Sequence, residues 1–400
     1  MVVEDIWCLL QYCPPTYDII IKNYAHKENA MKKHILIGNG INIAFSQSDE
    51  YKNYSIIERL TKYLGTDRYD DVFGGIISSE ELMLFLQKLN IFFNNMLMGI
   101  GALRLTLSVD EMQTLIDISH RYHSHSNDLL SVGIEDYFFA MKMAHNKYGD
   151  KSISINGLYT GLKYLFLDAI YNDGLIEQLY LRMNAYAGEL NKYASIFTVN
   201  YDTNLDKLTE KPVYHLHGSF NVLDDTYRPE TITGYCAQYK ENPPAVIKGK
   251  EHLYCNAIMG FSGQQKLNTM QRYAKINEIL DKINNLSNIE AHDIIQQLIA
   301  SSELNADLTH QLILAMIQNP NMKSTEYPIK LFSSIEGELH ILGLSPNNDS
   351  HLFKIINDNP AISHVVYFSA NNEDANRIQK VVKKCVQIRN VYNYWKSLGL

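Results

Sequence analysis

His34-Ile35-Leu36-Ile37-Gly38-Asn39-Gly40-Ile41-Asn42 is the stretch on which the fold turns. A short apolar run without polar alternation suits a strand covered on both faces, and the Gly-Asn-Gly after it suits a tight turn into a helix. Glycines at that position let the backbone approach a diphosphate, whose charge would meet free N–H groups at the helix start. A glycine turn also closes many strands for packing reasons alone. The run is not a complete dehydrogenase fingerprint, because Ile43 stands where a third glycine would, and it lacks the Gly-Lys-Ser/Thr ending of a triphosphate-binding loop.

Strand character returns further along the chain. Ser195-Ile196-Phe197-Thr198-Val199 and Val213-Tyr214-His215-Leu216 read as neighbouring strands on either side of a short polar helical segment. Residues 338–343, a loop, a helix near 351–358 and a strand over 362–368 form a strand–helix–strand unit, and a closing helix is expected from about 373 to 389. Between the first two strands, residues 54–193 turn helical, with apolar residues three and four apart in 80–93 and 157–181. A second helical block covers about 266–330, with an amphipathic helix over 267–283 and a further piece over about 291–318. Residues 221–263, rich in Pro, Gly, Tyr and Asp, read as long loops over a site. The expectation is an α/β protein: a Rossmann-like parallel sheet with large helical insertions, spanning 31–400 behind a peripheral extension over 1–30.

Composition narrows the function. The 400 residues are 46% hydrophobic and 20% charged, which is ordinary for a globular chain, and the net charge is −8. That balance argues against a general nucleic-acid surface, which needs concentrated Lys and Arg. The cysteines at 8, 13, 236, 255 and 385 are scattered and odd in number, a pattern of reduced thiols in a cytosol, and no Cys-x-x-Cys pair offers a zinc site. Glu4 and Asp5 stand where a signal peptide carries basic residues. The most apolar stretch, 91–107, is broken by Asn94, Asn95 and Arg104, so no membrane span is expected and the chain reads as cytoplasmic.

The polar residues of interest stand at strand ends, the ligand edge of an open α/β sheet. Thr198-Val199-Asn200-Tyr201-Asp202 delivers an amide and a carboxylate, although Asn and Asp in that position also cap helices. His215-Leu216-His217-Gly218-Ser219 delivers two imidazoles that strand alternation would put on one face. Gly343-Leu344-Ser345, followed by Asp349, combines a permissive backbone with a hydroxyl. His120, His123 and His125 lie in a polar stretch with no nearby cysteine or carboxylate, and a solvated loop explains them better than a metal site.

In order, Gly-x-Gly, Thr-x-Asn-x-Asp, His-Gly and Gly-x-Ser resemble the sirtuin family, over core strands that make up about a third of the chain. The segments 341–353 and 134–138 are similar to its bacterial branch of antiphage, abortive-infection NAD hydrolases. The resemblance implies a sirtuin-like core in which Gly38, Asn39, Gly40, Asn42, Thr198, Gly343 and Ser345 contact NAD, Asn200 and Asp202 line the nicotinamide-ribose end, and His217 is the catalytic histidine. It departs from the family at Asn42, where Ser is usual, and in the two missing Cys-x-x-Cys pairs, so no zinc is expected and protein deacylation loses ground. The implied activity is cleavage of NAD, as substrate, to nicotinamide and ADP-ribose. A homo-oligomer and an activating protein or phage component are the partners such an activity would need. ADP-ribosyl transfer, NAD-dependent deacylation and a non-catalytic nucleotide sensor remain the alternatives, and the choice between NAD and NADP stays open.

Overall fold

Successive side chains of strand β1 (Lys33–Ile37) point to opposite faces, and each face meets its own core. The computed structural model describes residues 31–46, 48–97, 111–112, 114–116, 118, 133–148, 154–240, 243, 245–258, 260–261, 263–284, 319 and 321–399. The extension over 1–30, the helical piece over 291–318 and the histidines at 120, 123 and 125 lie outside the described residues. β1 pairs in parallel with β2 (Ser195–Thr198) and with β4 (Gly337–Leu342). β3 (Val213–His215), β5 (Ile362–Ser369) and β6 (Cys385–Asn390) complete a six-stranded, all-parallel sheet of order β3-β2-β1-β4-β5-β6. That is the order of a doubly wound Rossmann-like fold.

The helices sort by face. After α1 (Gly40–Ser46), the block α2 (Asn53–Leu64), α3 (Ser79–Leu97), α4 (Ile134–Tyr148), α5 (Ile155–Tyr171) and α6 (Asn184–Leu190) joins the core that takes Ile35 and Ile37 from β1. After α7 (Ile232–Lys240), the helices α8 (Gly263–Asn284), α9 (Ile329–Ser333), α10 (Ser350–Asp358) and α11 (Asn372–Val381) form the core that takes Leu36. α12 (Val391–Ser397) returns to the first face through Val391 and Trp395. The inserted helices are therefore one of the two layers that keep β1 dry. Ile35, Leu36 and Ile37 are wholly buried, and each such side chain contributes roughly 1.5–3 kcal/mol. Among the described residues no helix is long and apolar enough to cross a membrane.

Four segments differ from the sequence reading. The helical pattern over 157–181 breaks at Asn172 and Asp173, which adopt left-handed backbone (φ 50° and 52°) before Gly174, so α5 stops and a 3-10 helix follows over Ile176–Arg182. The segment between β2 and β3 is turns rather than helix. There the Asp202 carboxylate accepts the Asn204 N–H and Glu177 accepts the Thr203 N–H, side-chain bonds that compete with a helix's own ladder. The region 221–263 is not all loop, since it contains α7. The closing helix over 373–389 is in fact α11 followed by strand β6. Asn357 accepts the Lys383 N–H and the Asn359 carbonyl accepts the Lys384 ammonium, which hold the chain extended and deliver it to the edge of β5.

Candidate active site

Strand register assembles the site. Ile37 lies opposite Thr198 on one side and Leu342 on the other, and Thr198 lies opposite His215. The segments after β1, β2, β3 and β4 therefore leave the sheet level with one another. Strand order reverses direction between β1 and β4, the crevice where open α/β sheets bind ligands. A cavity of about 170 Å³ opens there, and Asn39, Asn42, Asn200, Asp202, His217 and Asp349 contribute to its wall.

Each side chain is held from more than one element. The Asn42 amide on α1 donates to Asp202 Oδ2 at 2.7 Å, and the Asn204 amide donates to Asp202 Oδ1 at 2.6 Å. Asn42 Oδ1 is buried without a hydrogen-bond partner among the described residues. The Asn200 amide donates to the Gly38 carbonyl at 3.4 Å, and its backbone N–H donates to Thr198 Oγ1 at 3.0 Å. At His217 the carbonyl accepts the Ile258 N–H at 2.9 Å. The next residue, Gly218, has φ 88°, and a Cβ there would stand 2.4 Å from the Asn256 carbonyl oxygen, so only glycine lets the chain pass.

The charges around the cavity are unusual. Burial, then Lys266 and His351, hold the His217 imidazole well below the ordinary histidine value, so it is neutral near pH 7. Burial pushes the Asp202 carboxyl up, against the hydrogen bond from Asn42. Glu135, on the cavity wall in the first turn of α4, is also pushed up by burial and by Asp349, while its ion pair with Lys266 pulls the other way. Asp349, just before α10, has left-handed backbone (φ 56°) and places Oδ1 3.7 Å from His217 Nε2.

The residues named from the sequence fall into two groups. Asn39, Asn42, Asn200, Asp202 and His217 share the cavity. Gly38, Gly40, Thr198, Gly343 and Ser345 are not part of its wall. The Thr198 hydroxyl donates to the Ile37 carbonyl and ties β2 to β1, and Ser345 Oγ donates to Asp374 at 3.4 Å. The three glycines meet one another: the Gly40 N–H donates to the Gly343 carbonyl, and a Cβ on Gly38 or Gly40 would come within 2.6 Å of Gly343 backbone. Mutual packing thus accounts for them. Gly343 has φ 69° and a Cβ there would lie 2.8 Å from the Ile41 nitrogen. Gly343→Ala is expected to destabilise the fold by about 2 kcal/mol through backbone strain and overpacking, and an unchanged denaturation midpoint would refute this account.

No family model and no curated protein matches the chain. The geometry of the cavity therefore carries the functional argument. Alternation had placed His215 and His217 on one face, but β3 ends at His215 and the period-two rule ends with it. Both His215 nitrogens are taken, Nδ1 by the Asn200 carbonyl at 2.9 Å and Nε2 by Asp206 at 3.0 Å, so His215 braces the loop. Burial lowers its proton affinity, but Asp206 outweighs burial and the net shift is upward.

Lys266 and His351 are the members that the sequence reading passed over. Lys266 is completely buried on the α8 stripe that also carries Met270, Ala274 and Asn277, four and then three or four residues apart. A lysine within such a stripe was the available signal. His351 follows Asp349 by two residues, and its Nε2 lies 3.0 Å from His217 Nε2. Nothing local marks that contact, because the partners are 134 residues apart.

Proposed function

We propose that this chain binds NAD at the carboxyl edge of its sheet and cleaves the nicotinamide–ribose bond, yielding nicotinamide and ADP-ribose. The observation that carries the reading is the shared cavity of Asn200, Asp202 and His217 at the crossover reversal of a Rossmann-like sheet. Nicotinamide leaves a cationic pyridinium as a neutral group, so the protein need only position the ribose, stabilise its oxocarbenium-like state and guide water. Asn200 and Asp202 hold the ribose and water, and the free Asn42 Oδ1 accepts a ribose hydroxyl. His217 takes a proton from the attacking water or a ribose hydroxyl and passes it to solvent, so NAD⁺ and water give nicotinamide, ADP-ribose and one proton. The resemblance to antiphage NAD hydrolases makes NAD depletion during infection the proposed consequence.

The test is incubation of the purified protein with NAD, with and without phage-infected lysate, while nicotinamide and ADP-ribose are quantified. Free ADP-ribose is the expected product; a modified acceptor would indicate transfer, and calorimetric binding without turnover under every activating condition would indicate a sensor. The pH profile follows from His217. A base must be unprotonated to act, and its proton affinity is lowered, so activity is kept at neutral pH and lost only as pH falls through a value below the usual 6.5. An acid limb of kcat/KM above pH 6.5 would contradict this.

A further inference from the structure

The two imidazoles that meet behind the cavity do so along their edges. Their Nε2 atoms are 3.0 Å apart, their ring centroids 5.1 Å apart and their planes tilted by 28°. The centroid separation is nearly as large as an N–N contact of that length allows, so the two Nε2 positions point at each other rather than converging on a third atom. This is the geometry of an N–H···N hydrogen bond. A cation shared with Asp349 would require all three ligand atoms to aim at a common centre. His217 is on the cavity wall; His351 is not, although its neighbours Asp349 and Ser350 are.

We propose that His351 is a positioning residue for His217, holding its ring through the Nε2–Nε2 hydrogen bond, leaving Nδ1 to face the substrate, and sharing the proton that His217 takes up. The inference rests on the reading of His217 as the base in NAD cleavage. With Nε2 committed to His351, Nδ1 is the only His217 ring nitrogen left for a ligand. The hydrogen bond made by one imidazole nitrogen sets the state of the other, so the pair decides whether Nδ1 carries a lone pair or a hydrogen. His351 Nδ1 is buried with no hydrogen-bond partner among the described residues, so the bond to His217 is what fixes the pair: at rest the hydrogen sits on His217 Nε2, and His217 Nδ1 keeps its lone pair.

When His217 accepts a proton at Nδ1, the N–H between the two rings becomes the hydrogen bond of an imidazolium to a neutral imidazole, stronger than its neutral counterpart. Release of that proton to solvent restores the resting pair. The groups facing it are Asp349, whose carboxylate is 3.7 Å from His217 Nε2 and offsets the new charge, and Lys266, whose opposing charge is answered by Glu135. Burial keeps both imidazoles neutral at rest.

The experiment compares wild type with His351→Leu and His351→Gln in the NAD assay, with fold verified by circular dichroism and thermal midpoint. His351→Leu is expected to lower kcat about 10- to 100-fold, part of the ~10²–10⁴-fold share of a general base, with KM within about threefold. His351→Gln, whose amide can reoccupy the Nε2 position, is expected to recover at least half of that loss on a logarithmic scale. ¹⁵N-histidine NMR needs no turnover: His217 is expected to show one dominant tautomer in wild type and a mixture in His351→Leu. An inactive His217→Ala with a fully active His351→Leu of unchanged tautomer would overturn this inference and leave the base reading standing, whereas an active His217→Ala would remove both. Loss of wild-type activity on chelation, restored by a divalent cation, would also overturn it by making the pair metal ligands.

Discussion

His217→Ala and Asn200→Ala are each expected to lose release of nicotinamide from NAD by about 10²–10⁴-fold, or about 2.7–5.5 kcal/mol of transition-state stabilisation. His217→Ala removes the buried neutral imidazole from the cavity wall, and Asn200→Ala removes the amide that lines the same cavity and donates to the Gly38 carbonyl of the β1 turn. Neither change disturbs the sheet register, because the backbone bonds of β2 and β3 run through Ile196, Phe197 and Thr198 and their partners. The assay counts nicotinamide and ADP-ribose, with the thermal midpoint as the control for folding. Full turnover by both variants would end the assignment, and a threefold loss would be too small for the roles given.

Asp168→Ala is expected to act in the opposite way, with a large effect on stability that leaves the cavity's chemistry alone. Asp168, buried on α5, accepts the Arg68 guanidinium through both oxygens at 2.5 and 2.9 Å, the Tyr69 hydroxyl at 2.7 Å and His252 at 2.9 Å. Burial alone would raise its pKa, but these partners outweigh burial and hold it well below the usual carboxylate range. One side chain thus fastens three separate segments, and none of the four residues is part of the candidate site's wall. Removing it strands the donors in the interior, two of them buried, at a cost of about 3–5 kcal/mol. Chemical denaturation should show the loss directly, and a difference under about 0.5 kcal/mol, the range of an ordinary surface substitution, would refute the account.

These three variants separate what was legible in the chain from what was not. Asn200, Asp202 and His217 could be named because each follows an apolar run that ends in a turn, and such tips are where a parallel sheet exposes function. The carboxylate of Asp168 could not be distinguished from the other acids on helical stretches. Its partners lie 84 to 100 residues away, and periodicity says nothing at that range. His351 and Lys266 share that limit: one sits on the first turn of a short amphipathic helix, the other in a buried stripe, and both acquire meaning from contacts across the fold.

The first five strands and the positions of their tips were legible in the sequence itself, because strand formation is local: an apolar run and a permissive turn are complete within about a dozen residues. The tertiary structure alone decided which of those tips face a cavity and which face each other. Gly38, Gly40 and Gly343 stand at separate strand tips in the sequence, and parallel register sets them level so that their bare backbones close on one another. The same register leaves Asn42, Asn200, Asp202 and His217 around open space, and brings His351 edge to edge with His217. Contact between distant segments depends on how far each strand slides past its neighbour, and that displacement is fixed by packing on both faces of the sheet at once.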